Sequence, residues 1–468
     1  MSTSGLTGTD RALATAMERI WEEAEAIGLK PFATHFELVP TSILYEVGSY
    51  LMPGRFSHWS YGKMYHVQKM MYDYGLSKIY ELVINTDPCW AFLLDSNTLL
   101  QNKLVVAHVL GHCDFFANNA YFAKTSRRML DTVTLNADRL RRYEYAHGQD
   151  AVEHVLDACL AIQMHVTPYL SDDVARDPAP QEMGADAGHE SPPGPYDDLW
   201  EVDTWRQAIP EPTPFRGNAR PDRDLLRFIA AHSPILTDWE RDAVQIVRGE
   251  SLYFFPQMQT KIVNEGWATL CHATILHRLN LDPQEYVDFA DLHSGVIQPS
   301  RRQINPYHLG YGILRELNQR HGGDDEHIAA ALFDLRETEC DLSLIRNSLD
   351  EDLVESLDLY VYGPEYGELV VTEKRWERVR DRLLDDLTGY GIPIIVAEDA
   401  DYEGRRELFL RHEWTGKLLE PAYARKTLEH IFRLWGRTVW LETRTIDGEQ
   451  LLLSFDKKSG HLPAWDEH

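Results

Sequence analysis

The stretch LVVAHVLGHCDFFANN, residues 104–119, carries the most information about the fold of this chain. Its residues are mainly apolar, and its length and composition predict a buried helix. His108 and His112 stand four residues apart, so at about 100° per residue they share one face of that helix. An H-E-x-x-H helix presents two imidazoles to one metal ion in the same way. Two histidines in an ordinary core also show this spacing, so the pair alone leaves both interpretations open.

A second stretch, KIVNEGWATLCH at residues 261–272, follows about 150 residues later and offers a third ligand. In zincin-type sites a glutamate from a later helix completes the two-histidine set, and Glu265 fits that place. The alternative is a surface ion pair with Lys261, but the apolar neighbours of Glu265 favour a metal ligand. We therefore predict a metal site of His108, His112 and Glu265. Zinc is the first choice of ion, although iron and manganese accept the same donors.

The general base of a zincin is missing, because Val109 stands where the H-E-x-x-H helix has its glutamate. A hydrolase would need another group to take the proton. His272 and Glu250 are the preferred candidates, since His272 shares a helix face with Glu265 and Glu250 precedes the same segment; Asp114 is the third. His272 also fits a fourth ligand or a support for one of the ligands.

Outward from these stretches, periodicity predicts a mostly α fold, with a large helical zincin-like N-terminal region and a smaller α+β C-terminal domain. Residues 1–170 form a helical region that contains the histidine pair. Residues 171–211, rich in Pro, Gly, Ser and acids, are predicted to be a flexible insertion. Residues 212–354 continue the same helical domain, and residues 355–468 form the α+β domain.

The predicted C-terminal domain alternates helices with short strands. Helix and strand patterns occur in the order helix, strand, strand at residues 375–414 and again at residues 421–455. This repeated order indicates an internal duplication. It carries no inference about function.

The formal charge of −28, from 46 basic and 74 acidic side chains, disfavours binding to nucleic acid or to anionic lipid. No apolar run approaches the roughly 20 residues that span a bilayer, and the N-terminus has no signal-peptide pattern. Five widely spaced cysteines without a C-x-x-C pair argue against disulfides and a cysteine zinc site. We predict a soluble cytoplasmic protein.

Several long segments resemble the stage V sporulation protein R (SpoVR) family, and together they cover most of the chain. They are SHWSYGK (57–63), NTDPCWAFLLDSNTLLQNKLVVAHVLGHCDFFANN (85–119), YFFPQMQTKIVNEGWATLCH (253–272), HSGV (293–296) and NPYHLGYGILREL (305–317). Val109 matches the family pattern.

The resemblance implies a role in sporulation or stress response. It also implies partners, a serine protein kinase and a von Willebrand factor A-like protein of the same system. Two hypotheses follow. The first is a metal-dependent hydrolase acting on a peptide or cell-wall amide. The second is a non-catalytic scaffold or regulator in the kinase system, stabilised by a metal with no free coordination position.

Overall fold

A computed structural model describes residues 8–73, 81–169, 220–300, 304–365, 368–445 and 447–456. Within these residues the fold is mostly α, as predicted. The helices are α1 (Gly8–Ala26), α2 (Thr41–Tyr50), α3 (Trp59–Asp73), α4 (Leu99–Asn118), α5 (Met129–His147), α6 (Gln149–Ala161), α7 (Leu225–His232), α8 (Asp238–Gln259), α9 (Lys261–Arg278), α10 (Pro283–Val296), α11 (Pro306–Arg320), α12 (Ala330–Thr338), α13 (Asp341–Ser348), α14 (Glu351–Ser356), α15 (Trp376–Leu387) and α16 (Pro421–Trp435). No helix of the described residues is long and apolar enough to cross a bilayer.

The strands of the described residues form three sheets. The strands are β1 (Thr34–Val39), β2 (Glu81–Ile84), β3 (Cys89–Leu94), β4 (Val361–Glu365), β5 (Glu368–Glu373), β6 (Ile395–Tyr402), β7 (Glu407–His412), β8 (Val439–Arg444) and β9 (Gln450–Phe455). The first sheet has the order β1-β3-β2, the second pairs β4 with β5, and the third has the order β6-β7-β8-β9.

The chain forms two compact units, whose boundaries differ from those of the predicted segments. The first unit comprises Met1–Arg141 and Tyr253–Gly391, and the second comprises Arg142–Leu252 and Ile392–His468. The predicted helical segment 212–354 is thus shared between the two units. The predicted flexible insertion, 171–211, lies outside the described residues.

The first sheet corrects the prediction that residues up to 170 are entirely helical. β3 pairs in parallel with β1 and antiparallel with β2. The sequence CWAFLL of β3 is a short apolar run, and such a run has the same pattern in a buried strand and in a buried helix. In YHVQKMMYDYGLSKIYELVI, residues 65–84, the apolar residues have helical spacing to the end, but the last four residues, ELVI, form β2. Strand pairing is a long-range contact that local spacing does not encode.

The core of the first unit is built around α4, which contacts α1, α9, β2 and β3. Of its 20 residues, 14 are buried, which explains why its sequence is apolar nearly all round. Two glycines bring the neighbouring helices close. A Cβ on Gly111 of α4 would lie 2.7 Å from the Cα of Ala268 in α9, and a Cβ on Gly266 of α9 would overlap the backbone of Gly310 in α11. The backbones of α4 and α9 are therefore in close contact where these two helices, which carry the predicted ligands, cross.

Gly266→Ala is expected to destabilise the first unit by about 3 kcal/mol, because overpacking against backbone costs more than overpacking against a mobile side chain. The measurement is urea unfolding followed by tryptophan fluorescence. Gly62→Ala is the matched control, since Gly62 also lies in a helix of this unit and nothing lies within 4 Å of a Cβ placed there. The control should be neutral or more stable by up to about 1 kcal/mol. Equal unfolding midpoints for the two variants would show that α9 and α11 separate easily.

The C-terminal elements agree with the predicted order of helices and strands, but the two predicted repeats pack differently. α15, the helix of the first repeat, contacts α13 and α14 within the first unit. α16, the helix of the second repeat, contacts α6, β8 and β9 within the second unit. The repeated element order therefore does not produce two equivalent structural halves.

Candidate metal centre

Helix α4 holds His108 and His112 at fixed positions along its length. Thr98 caps its first turn: its side chain accepts a hydrogen bond from the N–H of Gln101, and the Gln101 side chain accepts one from the N–H of Thr98. At the other end Asn119 is the C-cap residue: its N–H donates to the carbonyl of Phe115, and its side chain donates to the carbonyls of Arg336 and Glu339. Between these ends the two histidine rings meet edge to face with centroids 4.6 Å apart.

Helix α9 brings Glu265 to the same point. Its first turn is held by the Asp341 carboxylate, which accepts hydrogen bonds from the N–H groups of Ile262 and Val263 at 3.0 and 2.9 Å. Glu265 follows one turn later, and its Oε2 lies 3.5 Å from His108 Nε2 and 3.4 Å from His112 Nε2. The structure thus brings together the three residues predicted as ligands.

A fourth residue, Glu81, completes the group and was missed in the sequence. Glu81 opens strand β2, and its Oε1 lies 3.3 Å from His108 Nε2 and 3.9 Å from His112 Nε2. One donor atom from each of Glu81, His108, His112 and Glu265 lies within 4.8 Å of every other; we call these four residues the metal cluster. A glutamate at the start of the strand ELVI was the available signal, but the stretch was interpreted as helix.

The donor atoms of the metal cluster suit a divalent ion. His108 Nε2 and Glu265 Oε2 are buried and have no hydrogen-bond partner among the described residues. Buried polar atoms without partners are rare, because desolvating them costs free energy that nothing returns. Two imidazole nitrogens and two carboxylate oxygens are a donor set that zinc, iron and manganese accept. The residues present therefore fit a metal ion.

Electrostatics couple the cluster in the absence of an ion. Burial alone would lower the pKa of His112, but the nearby charges of Glu265 and Glu81 raise it to about 9. Burial would raise the pKa of Glu265, but His112 and His108 hold it well below its usual range. The pKa of Glu81 is raised by burial, against the lowering effect of the two histidines. An ion would replace the proton that these carboxylates stabilise on His112.

The outer nitrogens of both imidazoles have neutral partners. His112 Nδ1 lies 2.9 Å from Asn264 Oδ1, and His108 Nδ1 lies 2.9 Å from His272 Nδ1. Such partners orient an imidazole with its Nε2 toward a metal. Tyr307, from the first turn of α11, stacks on the His108 ring with the ring centroids 5.9 Å apart.

His272, predicted as a base or fourth ligand, does not reach the donor atoms of the cluster. Seven residues along a helix return to the same face, but they rise about 10 Å, so His272 meets the outer side of His108. Its Nδ1 faces His108, and its Nε2 lies 3.0 Å from His293 Nδ1. Both nitrogens of His272 have imidazole partners and the side chain is fully buried, so the contacts of His272 are unlike those of a base that takes a proton from water.

Asp114, the third candidate base, is occupied in a buried ion pair. Its two carboxylate oxygens lie 2.8 Å from Arg336 Nη1, and they accept further hydrogen bonds from Trp267 Nε1 and the N–H of Lys30. Asp114 is fully buried and Arg336 is 4% exposed. A carboxylate held by so many donors is a poor base. The prediction of a catalytic role for Asp114 does not fit these contacts, which instead join α4 to α9 and α12.

Glu250, the remaining candidate, is fully buried in α8. It belongs to the second compact unit, whereas all four residues of the metal cluster belong to the first. Glu250 is not one of the metal-binding residues found in the described part of the chain. Glu81, which was not among the predicted bases, is the carboxylate that approaches both histidines in addition to the predicted ligand Glu265.

Asp114→Asn is expected to lower the free energy of unfolding by about 3–5 kcal/mol, because it leaves the buried Arg336 charge with only the exposed Glu337 as a counter-charge. Chemical unfolding of the purified variant measures the loss. Asp131→Asn is the matched control, since Asp131 pairs with Arg128 at an exposed position, where the two side chains are 64% and 57% exposed. The control should change stability by less than about 1 kcal/mol. Equal losses in the two variants would contradict the role given to the buried pair.

Comparisons with known proteins match one family along nearly the whole chain. Residues 8–392 match the family model described as SpoVR like protein, and residues 393–445 match the model of the SpoVR-like C-terminal domain. The uncharacterized protein YcgB of Escherichia coli K12 is 28% identical over 457 aligned residues, which cover 88% of each chain. No solved structure matches the chain.

Proposed function

The chain belongs to the SpoVR family, and we propose that it is a zincin-like metal-dependent hydrolase whose ligands are His108, His112 and Glu265. The observation that carries the proposal is the position of Glu81. This carboxylate approaches both histidines from strand β2. In this proposal it replaces the glutamate of an H-E-x-x-H helix, whose position in α4 is occupied by Val109. The fully buried Val109 side chain is part of the core.

The zincin-like part of the proposal is supported by how the elements are arranged. A helix with two histidines four residues apart packs against a small mixed sheet, and a glutamate enters from a second helix. β2 forms one edge of this sheet and runs antiparallel to its neighbour β3. Glu81 thus stands at the sheet edge that borders the cluster.

In this proposal a zinc ion held by the three ligands would polarise a substrate carbonyl and make bound water more acidic. Glu81 accepts the proton of the attacking water and passes it to the leaving nitrogen. Burial raises the pKa of Glu81, which makes its carboxylate a stronger proton acceptor than an exposed glutamate. Asn264 and His272 hold the two imidazoles in place.

The site opens on its carboxylate side, which is where a substrate would enter. The side chains of Glu81 and Glu265 remain 20% and 18% exposed, whereas His108 is 3% exposed. We propose an amide of a peptide or cell-wall precursor as the substrate class. The net charge of −28 disfavours nucleic acid.

A second candidate function is supported by the compactness of the cluster. Four donor atoms within 4.8 Å suit a closed tetrahedral site in which Glu81 is a ligand and no position is free for substrate. The protein would then be a metal-stabilised scaffold or regulator. The proposed partners are a serine protein kinase and a von Willebrand factor A-like protein. These partners and a role in sporulation or stress response are what the family resemblance implies, and the sequence composition adds the expectation of a cytoplasmic location.

The hydrolase proposal is tested by incubating the full-length protein, stripped of metal or loaded with Zn²⁺, with a mixed peptide library and with cell-wall peptides. Mass spectrometry detects the products. Cleavage by the loaded protein, abolished by chelation and restored by Zn²⁺, is the expected result. A loaded protein that cleaves no amide in either set would contradict the hydrolase and favour the scaffold.

A further inference from the structure

We propose that His108, His272 and His293 form a hydrogen-bonded chain whose tautomers are set by the metal ion, so that metal binding in the cluster is transmitted to His293. This inference rests on the proposed metal centre. It adds His272 and His293 as positioning residues, which neither bind the ion nor touch the substrate.

The chain is continuous and leads outward from the core. His108 Nδ1 lies 2.9 Å from His272 Nδ1, and His272 Nε2 lies 3.0 Å from His293 Nδ1. His108 and His272 are buried, whereas His293, on α10, is partly exposed. Three imidazoles therefore connect the metal cluster to a side chain that solvent reaches.

Each contact between two neutral imidazoles needs one N–H donor and one bare nitrogen acceptor, so the whole chain has only two directions. His272 is fully buried and both of its nitrogens face other imidazoles, so no carboxylate bonds to it to balance a positive charge, and we take it as neutral. In the outward direction His108 donates to His272, which donates to His293. His108 Nε2 is then bare and free to bind a metal.

In the inward direction His293 donates to His272, which donates to His108 Nδ1. His108 then carries its hydrogen on Nε2, where no metal can bind. That hydrogen faces the carboxylates of Glu81 and Glu265, whose oxygens lie 3.3 and 3.5 Å away. The carboxylates favour the inward direction without an ion, and an ion on His108 Nε2 requires the outward one.

Metal binding therefore reverses the tautomers of all three histidines. The ion displaces the Nε2 proton of His108 to solvent, and the protons of His272 Nδ1 and His293 Nδ1 each cross their hydrogen bond toward His108. His293 Nε2 then takes one proton from solvent, so the three rings keep the same number of protons. The outer nitrogen of His293, Nε2, changes from a bare acceptor to an N–H donor. The ring of Tyr311 packs edge to face against His293 at 5.1 Å and limits its rotation, which keeps Nδ1 directed at His272. A group that binds at His293 would in turn change the affinity of the cluster for its metal, because coupling between two sites is reciprocal.

The test uses the full-length protein with ¹⁵N-labelled histidine. Long-range ¹H–¹⁵N spectra distinguish the two tautomers, and a His293→Gln variant assigns the His293 signals. On addition of Zn²⁺, we expect His293 to change from the Nδ1–H to the Nε2–H tautomer. Unchanged His293 signals while zinc occupies the cluster would overturn the inference. The tautomer change itself is measured on the wild-type sequence, and the variant serves only to assign the signals.

Two variants separate support of His108 from transmission to His293. His272→Asn keeps an acceptor for His108 Nδ1–H, just as Asn264 serves His112, but has no group that reaches His293. Zinc affinity should stay within about threefold of wild type, while His293 no longer responds. His272→Leu removes the acceptor and should weaken zinc binding about 10–100-fold. Wild-type affinity in His272→Leu would also overturn the inference.

His277→Gln is the control, because His277 lies on the same helix as His272 but bonds to the Ala273 carbonyl, outside the chain. It should leave both zinc affinity and the His293 response unchanged. The outcomes distinguish this inference from the proposed function. A protein that binds no zinc refutes both, whereas a tautomer change in a protein that cleaves no amide supports the inference and refutes the hydrolase.

Discussion

Replacing Glu81 with glutamine is expected to reduce amide hydrolysis by about 10²–10⁴-fold while leaving the metal content of the protein unchanged. Glutamine has nearly the shape of glutamate but takes no proton, so the variant removes the base without opening a cavity. The three ligands His108, His112 and Glu265 remain. The two measurements are cleavage rate by mass spectrometry and metal content by elemental analysis.

The matched control for Glu81→Gln is Glu37→Gln, because Glu37 lies on β1, the other edge strand of the same sheet, and is exposed. The control should retain both rate and metal. Loss of metal from Glu81→Gln would identify Glu81 as a fourth ligand and favour the closed, non-catalytic site. Full activity with full metal content would show that Glu81 is neither base nor ligand.

Replacing His112 with alanine is expected to weaken zinc binding by more than about 100-fold. Groups that merely orient a ligand already contribute 10–100-fold to affinity, and His112 is proposed to donate directly to the ion. The loss also leaves the carboxylates of Glu81 and Glu265 with one fewer cationic partner. Competition with a chromophoric chelator measures the affinity.

His277→Ala is the control for His112→Ala, since His277 is partly buried but lies outside the metal cluster. Thermal unfolding adds a second readout. Excess Zn²⁺ should raise the melting temperature of wild type and of the control, because an ion that binds only the folded state stabilises it. The melting temperature of His112→Ala should not respond. Equal zinc affinity in the two variants would exclude His112 from the site.

Three of the four cluster residues could be found in the sequence because helical spacing is a local property. His108 and His112 share a face whatever surrounds the helix, and Glu265 is conspicuous as a charge among apolar neighbours. Glu81 could not be found in this way, because its position in the site does not follow from local spacing. It reaches the site through the pairing of β2 with β3, and the spacing of apolar residues around it resembles that of a helix.

The position of His272 shows a second limit of sequence reasoning. A shared helix face was correctly inferred from the seven-residue spacing, but the axial rise of about 10 Å separates His272 from the donor atoms of the cluster. The close approach of α9 to α11 at Gly266 and Gly310 likewise depends on packing between distant segments. By contrast, the elements from α15 to β9 follow from local strand and helix patterns, although their division between two compact units does not.

The most direct test of the metal cluster is a crystal of the zinc-loaded protein measured on both sides of the zinc absorption edge. We expect one anomalous peak about 2.0–2.2 Å from Nε2 of His108, Nε2 of His112 and a carboxylate oxygen of Glu265. A protein that holds zinc elsewhere, with these side chains bonded only to one another, would contradict the metal centre.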